Sequence, residues 1–137
     1  MSTPTIICTH DGQFHADEVS AYAILKVLFP DNQLIRTRDQ NLIDKSDIVI
    51  DVGRIYDSDA NRFDHHQENC NETFNSNDTP MSSLGMVYTK YGKQYLQTKL
   101  GDKIDDDLYM EVYYNIIKEI DAIDNGVFPP KSCIRTN

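Results

Sequence analysis

The chain has no tryptophan, three cysteines, and only 13 lysines and arginines against 22 aspartates and glutamates. Each shortage excludes something. Cys8, Cys70 and Cys133 are an odd set with no Cys-x-x-Cys pair, so neither a disulfide framework nor a thiolate zinc knuckle is expected, and the usage suits a reducing, intracellular compartment. A formal charge of −9 and the lack of any basic run argue against a broad nucleic-acid footprint, which rests on Lys and Arg neutralising phosphates. Without Trp there is also less material for the aromatic platforms on which long single strands stack. The opening MSTPTIIC has no basic region leading into an apolar core, and no apolar run nears the roughly 20 residues of a membrane span. A soluble protein with no membrane partner is expected; nothing in the composition selects among cytoplasm, nucleus and mitochondrion. There is no internal repeat.

What is present is 137 residues, 39% hydrophobic, enough for one domain over 1–137 with its own core. All four histidines fall in two short clusters mixed with carboxylates: His10-Asp11-Gly12-Gln13-Phe14-His15-Ala16-Asp17-Glu18 and Asp64-His65-His66. Imidazole and carboxylate together suit Mn, Fe, Zn or Co, whereas an oxygen-only set would indicate Mg or Ca. Seven of the 22 acids (Asp11, Asp17, Glu18, Asp51, Asp64, Asp121 and Asp124) lie in or beside the stretches singled out here, so part of the acidity reads as ligand inventory.

Along the chain, Thr5 to Thr9 reads as a strand buried on both faces, followed by a helix from Asp17 that Pro30-Asp31-Asn32 ends. Asp17 and Glu18 would complement the dipole in its first turn. Gln33 to Arg38 is a second strand, and strand-helix-strand order implies a right-handed parallel crossover. The link from Asp39 to Asp47 has room for a short helix. Ile48-Val49-Ile50-Asp51-Val52-Gly53 is a buried strand with a carboxylate where an apolar residue is expected, and a buried Asp needs a partner or a metal. Tyr56 to Asn61 reads as a polar turn and Arg62 to His66 as another short strand. Three strands thus end in candidate ligands, and open parallel sheets bind ligands beyond the carboxyl ends of their strands. Residues 68–79 read as a mobile loop, a lid over the site. A helix then starts near Thr79 to Ser83 with hydroxyls placed for capping and with amides able to hold a phosphate. Asp105-Asp106-Asp107 opens a last helix with Tyr109, Tyr113, Ile116, Ile117, Ile120 and Ile123 on one stripe, closed at Asn125-Gly126. Asp121 and Asp124 oppose the dipole in its final turn, which suggests a counter-charge such as a metal. Phe128 to Asn137 reads as a tail.

Five ordered stretches, His10 to Val19, Asp51-Val52-Gly53, Phe63 to Gln67, Ser82 to Gly85 and Glu119 to Gly126, resemble the MYG family of exonucleases, once described as metal-dependent protein hydrolases, within the DHH phosphoesterase superfamily. The resemblance implies an α/β, Rossmann-like, mostly parallel sheet flanked by helices. It also implies two divalent cations, typically Mn with Mg, Co or Zn as rivals, and hydrolysis of phosphodiester bonds with RNA or short oligonucleotides as substrate. Carried over by position, His10, His15 and Asp17 match the first motif, Asp51 the second, Asp64, His65 and His66 the third, and Asp124 the fourth, with Asp121 its rival. The wider superfamily has an Asp where His15 stands. Family members continue into a C-terminal half, so the expectation is the N-terminal catalytic half without that lobe, completed by a homodimer partner or a separate lobe.

On that basis His10, His15, Asp17, Asp51, His65 and Asp124 are the expected metal ligands, with Asp51 bridging. Asp64 and His66 are the expected catalytic pair, His66 contacting the phosphate or protonating the leaving oxygen. Ser82 and Ser83 are expected at a substrate phosphate, and Arg38 or Arg62 would neutralise developing charge. The expected activity is that of a 3′–5′ exonuclease or oligoribonuclease-like hydrolase. Two alternatives stay open: an inactive metal-dependent binding module, and a phosphatase or pyrophosphatase acting on small substrates.

Overall fold

The computed structural model of the protein describes residues 3–67, 70–74, 79–101 and 104–127. Five strands, β1 (Thr5–Thr9), β2 (Asn32–Arg36), β3 (Ile48–Ile50), β4 (Tyr56–Asp57) and β5 (Arg62–Phe63), make one sheet in the order β2-β1-β3-β5-β4. The first four positions are parallel; β4 runs antiparallel to β5 at the edge. The segment read as a polar turn therefore contains a strand. Two residues with one half-buried apolar side chain give no alternation to detect, and Tyr56 is held by its ring contact with Phe63 at 6.4 Å.

The helices are α1 (Ala16–Leu28), α2 (Gln40–Asp44), α3 (Ser83–Leu100), α4 (Asp106–Val112) and α5 (Lys118–Asp124). Alternate strand residues serve opposite faces, as the period of 2 requires. Ile7, Ile48, Ile50 and Phe63 meet Leu25 of α1 and Leu84, Val87 and Tyr88 of α3 in the main core. Cys8 and Val49 meet Ile43 of α2 and Val52 in a smaller one. The sheet is thus covered on both faces, which is what lets β1 and β3 read as nearly continuous apolar runs.

The expected last helix is interrupted. A π-helical turn, Tyr113–Ile117, separates α4 from α5. Its i→i+5 bonds insert an extra residue into the helical repeat, so the single apolar stripe breaks: Tyr109, Tyr113 and Ile117 are buried, whereas Ile116 and Ile123 are exposed. The rotation turns Asp121, fully buried, into the molecule instead. Residues 68–69 and 75–78 of the expected lid, and the tail from 128, lie outside the described residues. The intervening piece is packed, with Phe74 stacked on Tyr113 at 3.8 Å and an antiparallel bridge joining Thr73 to Pro80.

Candidate metal centre

The carboxyl ends of β1, β3 and β5 and the ends of α1 and α5 converge on one point. His10 follows β1 and is buried; its Nδ1 lies 2.9 Å from the Asp11 carbonyl oxygen. A carbonyl only accepts, so Nδ1 donates there and Nε2 faces inward. There it meets Asp51 Oδ2 at 3.2 Å and Glu18 Oε1 at 3.6 Å. His15 stands at the start of α1, its ring 5.2 Å from that of His10, and its backbone N–H donates to Glu18 Oε1 at 2.7 Å.

Asp51 leaves β3 in the left-handed region, φ 58°, a conformation uncommon for non-glycine residues though more accessible to Asp than to most. Its backbone N–H still reaches the Phe63 carbonyl, and Ser83 Oγ lies 3.2 Å from its Oδ1. On that Oδ1 side stands His65, whose Nε2 lies 3.4 Å from Asp51 Oδ1, 3.8 Å from Asp17 Oδ2 and 2.7 Å from Asp124 Oδ2. His65 Nδ1 faces Asn125 Oδ1 at 3.1 Å, and the Asn125 amide is oriented by donating to the carbonyls of Pro80 and Asp121. His65 repeats the His10 arrangement, with Nδ1 turned to an oxygen acceptor and Nε2 aimed at carboxylates.

Asp64 is buried and accepts from Arg54 N–H at 2.7 Å and from His66 Nδ1 at 2.6 Å. His66 is 53% exposed in its side chain, and with Nδ1 engaged its Nε2 is left for another partner.

Among the described residues three sets of donor atoms each fall within 4.8 Å: His10, His15, Glu18 and Asp51; Asp51, Asp64, His65 and His66; and Asp17, Asp51, His65 and Asp124. Asp51 belongs to all three. Every histidine and the acids Asp17, Asp51, Asp64 and Asp124 singled out from the sequence are brought together. Glu18 joins them, although in the sequence it is indistinguishable from an acid placed for the helix dipole.

The donor set fits divalent cations. Among the described residues both oxygens of Asp17 and Glu18 Oε2 are buried with no hydrogen-bond partner, and buried charge without compensation is strongly unfavourable. The protonation of the centre reflects that. Burial, with Asp51 and Asp124 nearby, pushes Asp17 up to about 9. Burial alone would lower His65, but the Asp124 and Asp51 carboxylates outweigh it and push it up to about 11. Contact with Asp64 raises His66, while burial opposes it. Burial would raise Asp64 and Asp124, and their histidine partners reverse this, so both are lowered.

Asp121 does not join the donors. Its carboxylate accepts from Ser82 N–H and Oγ, Gly85 N–H and the Tyr113 hydroxyl, at 2.7 to 3.1 Å; it caps α3 from α5. Ser82 and Ser83 are fully buried, with Ser82 spent on Asp121 and Ser83 Oγ on Phe63 O and Asp51. Arg62 is engaged by the carbonyls of Ser46, Asp47, Ala60 and Asn61, and Arg38 lines the cavity beside Asp51. Sequence reasoning read Asn125 only as part of the helix end and of the last matched stretch, and missed its contact with His65. Among the described residues no helix is long and apolar enough to cross a membrane.

Comparison with known proteins adds the following. A MYG1 exonuclease family model, described as an uncharacterised protein family (UPF0160), matches residues 6–135. A MYG1 protein of Dictyostelium discoideum is 44% identical over 126 residues, covering 88% of this chain and 38% of that protein. A MYG1 exonuclease of Homo sapiens is 39% identical over 139 residues, covering 93% of this chain and 37% of its own length, and one of Mus musculus is 38% identical with the same coverage. The chain therefore spans well under half the length of these relatives. No solved structure matches it.

Proposed function

Because the chain belongs to the MYG1 family, whose model it matches over residues 6–135, we propose that it is a metal-dependent phosphodiester hydrolase, exonuclease-like, built on a DHH phosphoesterase domain. The observation that carries the proposal is Asp51. Its Oδ2 faces His10 and its Oδ1 faces His65, so two imidazole-carboxylate sets share one buried carboxylate. The relatives named exonucleases support the reaction class.

In this proposal His10, His15, Glu18 and Asp51 would hold one divalent cation, and Asp17, Asp51, His65 and Asp124 another; Mn is the first choice on donor chemistry. Such a pair supplies an activated water and charge compensation at phosphorus. Asp64 fixes the His66 ring and favours its charged form, so His66 Nε2 serves as hydrogen-bond donor to a phosphate oxygen or as proton donor to the leaving oxygen. The net charge of −9 and the lack of Trp favour short RNA fragments over long strands; the proposed direction of attack is 3′ to 5′.

Steady-state cleavage of oligoribonucleotides from two residues upward, with Asp51→Asn as background, tests this. Mn-dependent mononucleotide release that declines with length is expected. Rates that climb with length contradict the short-substrate preference, and no metal-dependent turnover at any length favours a binding module.

A further inference from the structure

At the amino ends of the strands, opposite the metal centre, lies a second cavity of about 330 Å³, within the roughly 300–1,000 Å³ usual for small-ligand sites. Pro4, Phe29 and Ile48 give it apolar walls, and Asp47 and Asn61 face each other among its polar groups. Asp47 immediately precedes β3, as Asp51 immediately follows it, and Asn61 immediately precedes β5. None of these residues belongs to the centre.

The bonds around Asn61 settle which atom it offers. It sits in the left-handed region, φ 56°, and its Oδ1 accepts from Lys90 Nζ at 2.8 Å and from the Tyr91 hydroxyl at 2.6 Å. A lysine ammonium only donates, so the atom facing it is the oxygen, and two donors fill that oxygen's two lone pairs. Nδ2 is left with no acceptor among the described residues. Asp47 is divided in the same way. Its Oδ2 accepts from the Ile6 backbone N–H at 2.8 Å, while among the described residues Oδ1 has no hydrogen bond and the carboxylate no ion pair. The Phe29 ring is set edge-on against Tyr91, with centroids 5.7 Å apart. The cavity therefore offers one donor, one acceptor and one aromatic wall, each held in place by a contact outside it.

That set excludes more than it admits. A phosphate is not accommodated, because Lys90 is engaged by Ser58 and Asn61, Arg62 by four backbone carbonyls, and Asp47 would repel it. A calcium or magnesium ion would find one carboxylate where it needs a set of oxygens. What fits is a neutral planar ring with an amine beside an acceptor, the edge that adenine and cytosine present. The amine would donate to Asp47 Oδ1, the ring acceptor would take Asn61 Nδ2–H, and the ring would lie against Phe29.

We propose that this cavity is a binding site for an amino-bearing nucleobase, adenine or cytosine, recognised through its base edge and not through a phosphate. It is separate from the metal centre and does not depend on the hydrolase proposal.

The experiment titrates three probes calorimetrically into the protein in EDTA, so that no cation at the centre contributes: adenosine, purine riboside, which lacks only the exocyclic amine, and AMP. Adenosine is expected to bind roughly ten- to a hundred-fold more tightly than purine riboside, the range for a hydrogen bond to a charged group, and AMP no more tightly than adenosine. Asp47→Asn keeps an oxygen for the Ile6 N–H and turns an amide NH2 to the cavity. It should erase the preference for adenosine while leaving Tm and Mn stoichiometry unchanged. Asn61→Asp keeps the oxygen for Lys90 and Tyr91, and should weaken both nucleosides alike. No adenosine binding at millimolar concentration, equal affinity for the two nucleosides, a preference that survives Asp47→Asn, or adenosine affinity untouched by Asn61→Asp overturns the site. AMP bound markedly more tightly than adenosine reveals a grip on phosphate and overturns recognition by the base edge.

Discussion

At the scale of single residues, the centre is defined by what its polar atoms lack. Asn125 touches no candidate cation, but it orients the His65 ring, and outer partners of this kind typically sustain 10- to 100-fold of metal affinity. Asn125→Ala should therefore weaken Mn binding by that order in chelator competition, with circular dichroism unchanged. His66→Gln should leave Mn stoichiometry intact and lower turnover by about 10²- to 10⁴-fold, the usual worth of a positioned proton donor. The metal-free centre should also be pH-sensitive. Asp17 rises from 3.8 to about 9 and His65 from 6.5 to about 11, so between pH 6.5 and 9 the native site binds more protons than the unfolded chain. Stability then falls as pH rises; the lowered Asp64 and Asp124 act only in the acid range and do not offset this. Urea unfolding in EDTA should give a lower midpoint at pH 8.5 than at 6.5, and Mn should abolish the decline. A flat metal-free profile would contradict the protonation argued here.

At the scale of elements, α5 is the informative case. A regular helix through 105–124 predicts similar roles for Ile117 and Ile123, but the π-helical turn separates them. Ile117→Ala should cost about 2 to 5 kcal/mol and Ile123→Ala under about 0.5 kcal/mol in chemical denaturation. Gly85→Ala would drive a Cβ into the Asp121 carboxylate; overpacking of this kind costs roughly 1 to 3 kcal/mol, with more added for any lost hydrogen bond. The strands and their ligand-bearing ends were legible in the sequence because burial on both faces makes Ile6 to Cys8 and Ile48 to Ile50 uniformly apolar, which isolates Asp51. The π turn was not legible, since its residues are ordinary helix formers. Without it, Asp121 and Asp124 look equivalent; with it, Asp121 is turned onto the start of α3 and Asp124 onto His65. The role of Glu18 was hidden for a related reason, because an acid in a first helical turn already has a sufficient explanation in the dipole.

At the scale of the whole molecule, the acids gathered at one end of the sheet repel one another until cations arrive, so binding to the native state alone should raise stability by mass action. Mn should raise Tm well beyond the effect of matched ionic strength, and Asp51→Asn should remove most of that gain. The α/β sheet architecture was legible because strand, helix and strand alternate. Its edge was not, because β4 is too short to carry a pattern. The most direct measurement of the central claim is anomalous scattering at the Mn edge from crystals grown with that ion. Two peaks are predicted, one on each side of Asp51 and about 3.5 to 4 Å apart, the first among His10, His15 and Glu18 and the second among Asp17, His65 and Asp124. A single peak, or two that do not share Asp51, would contradict the account.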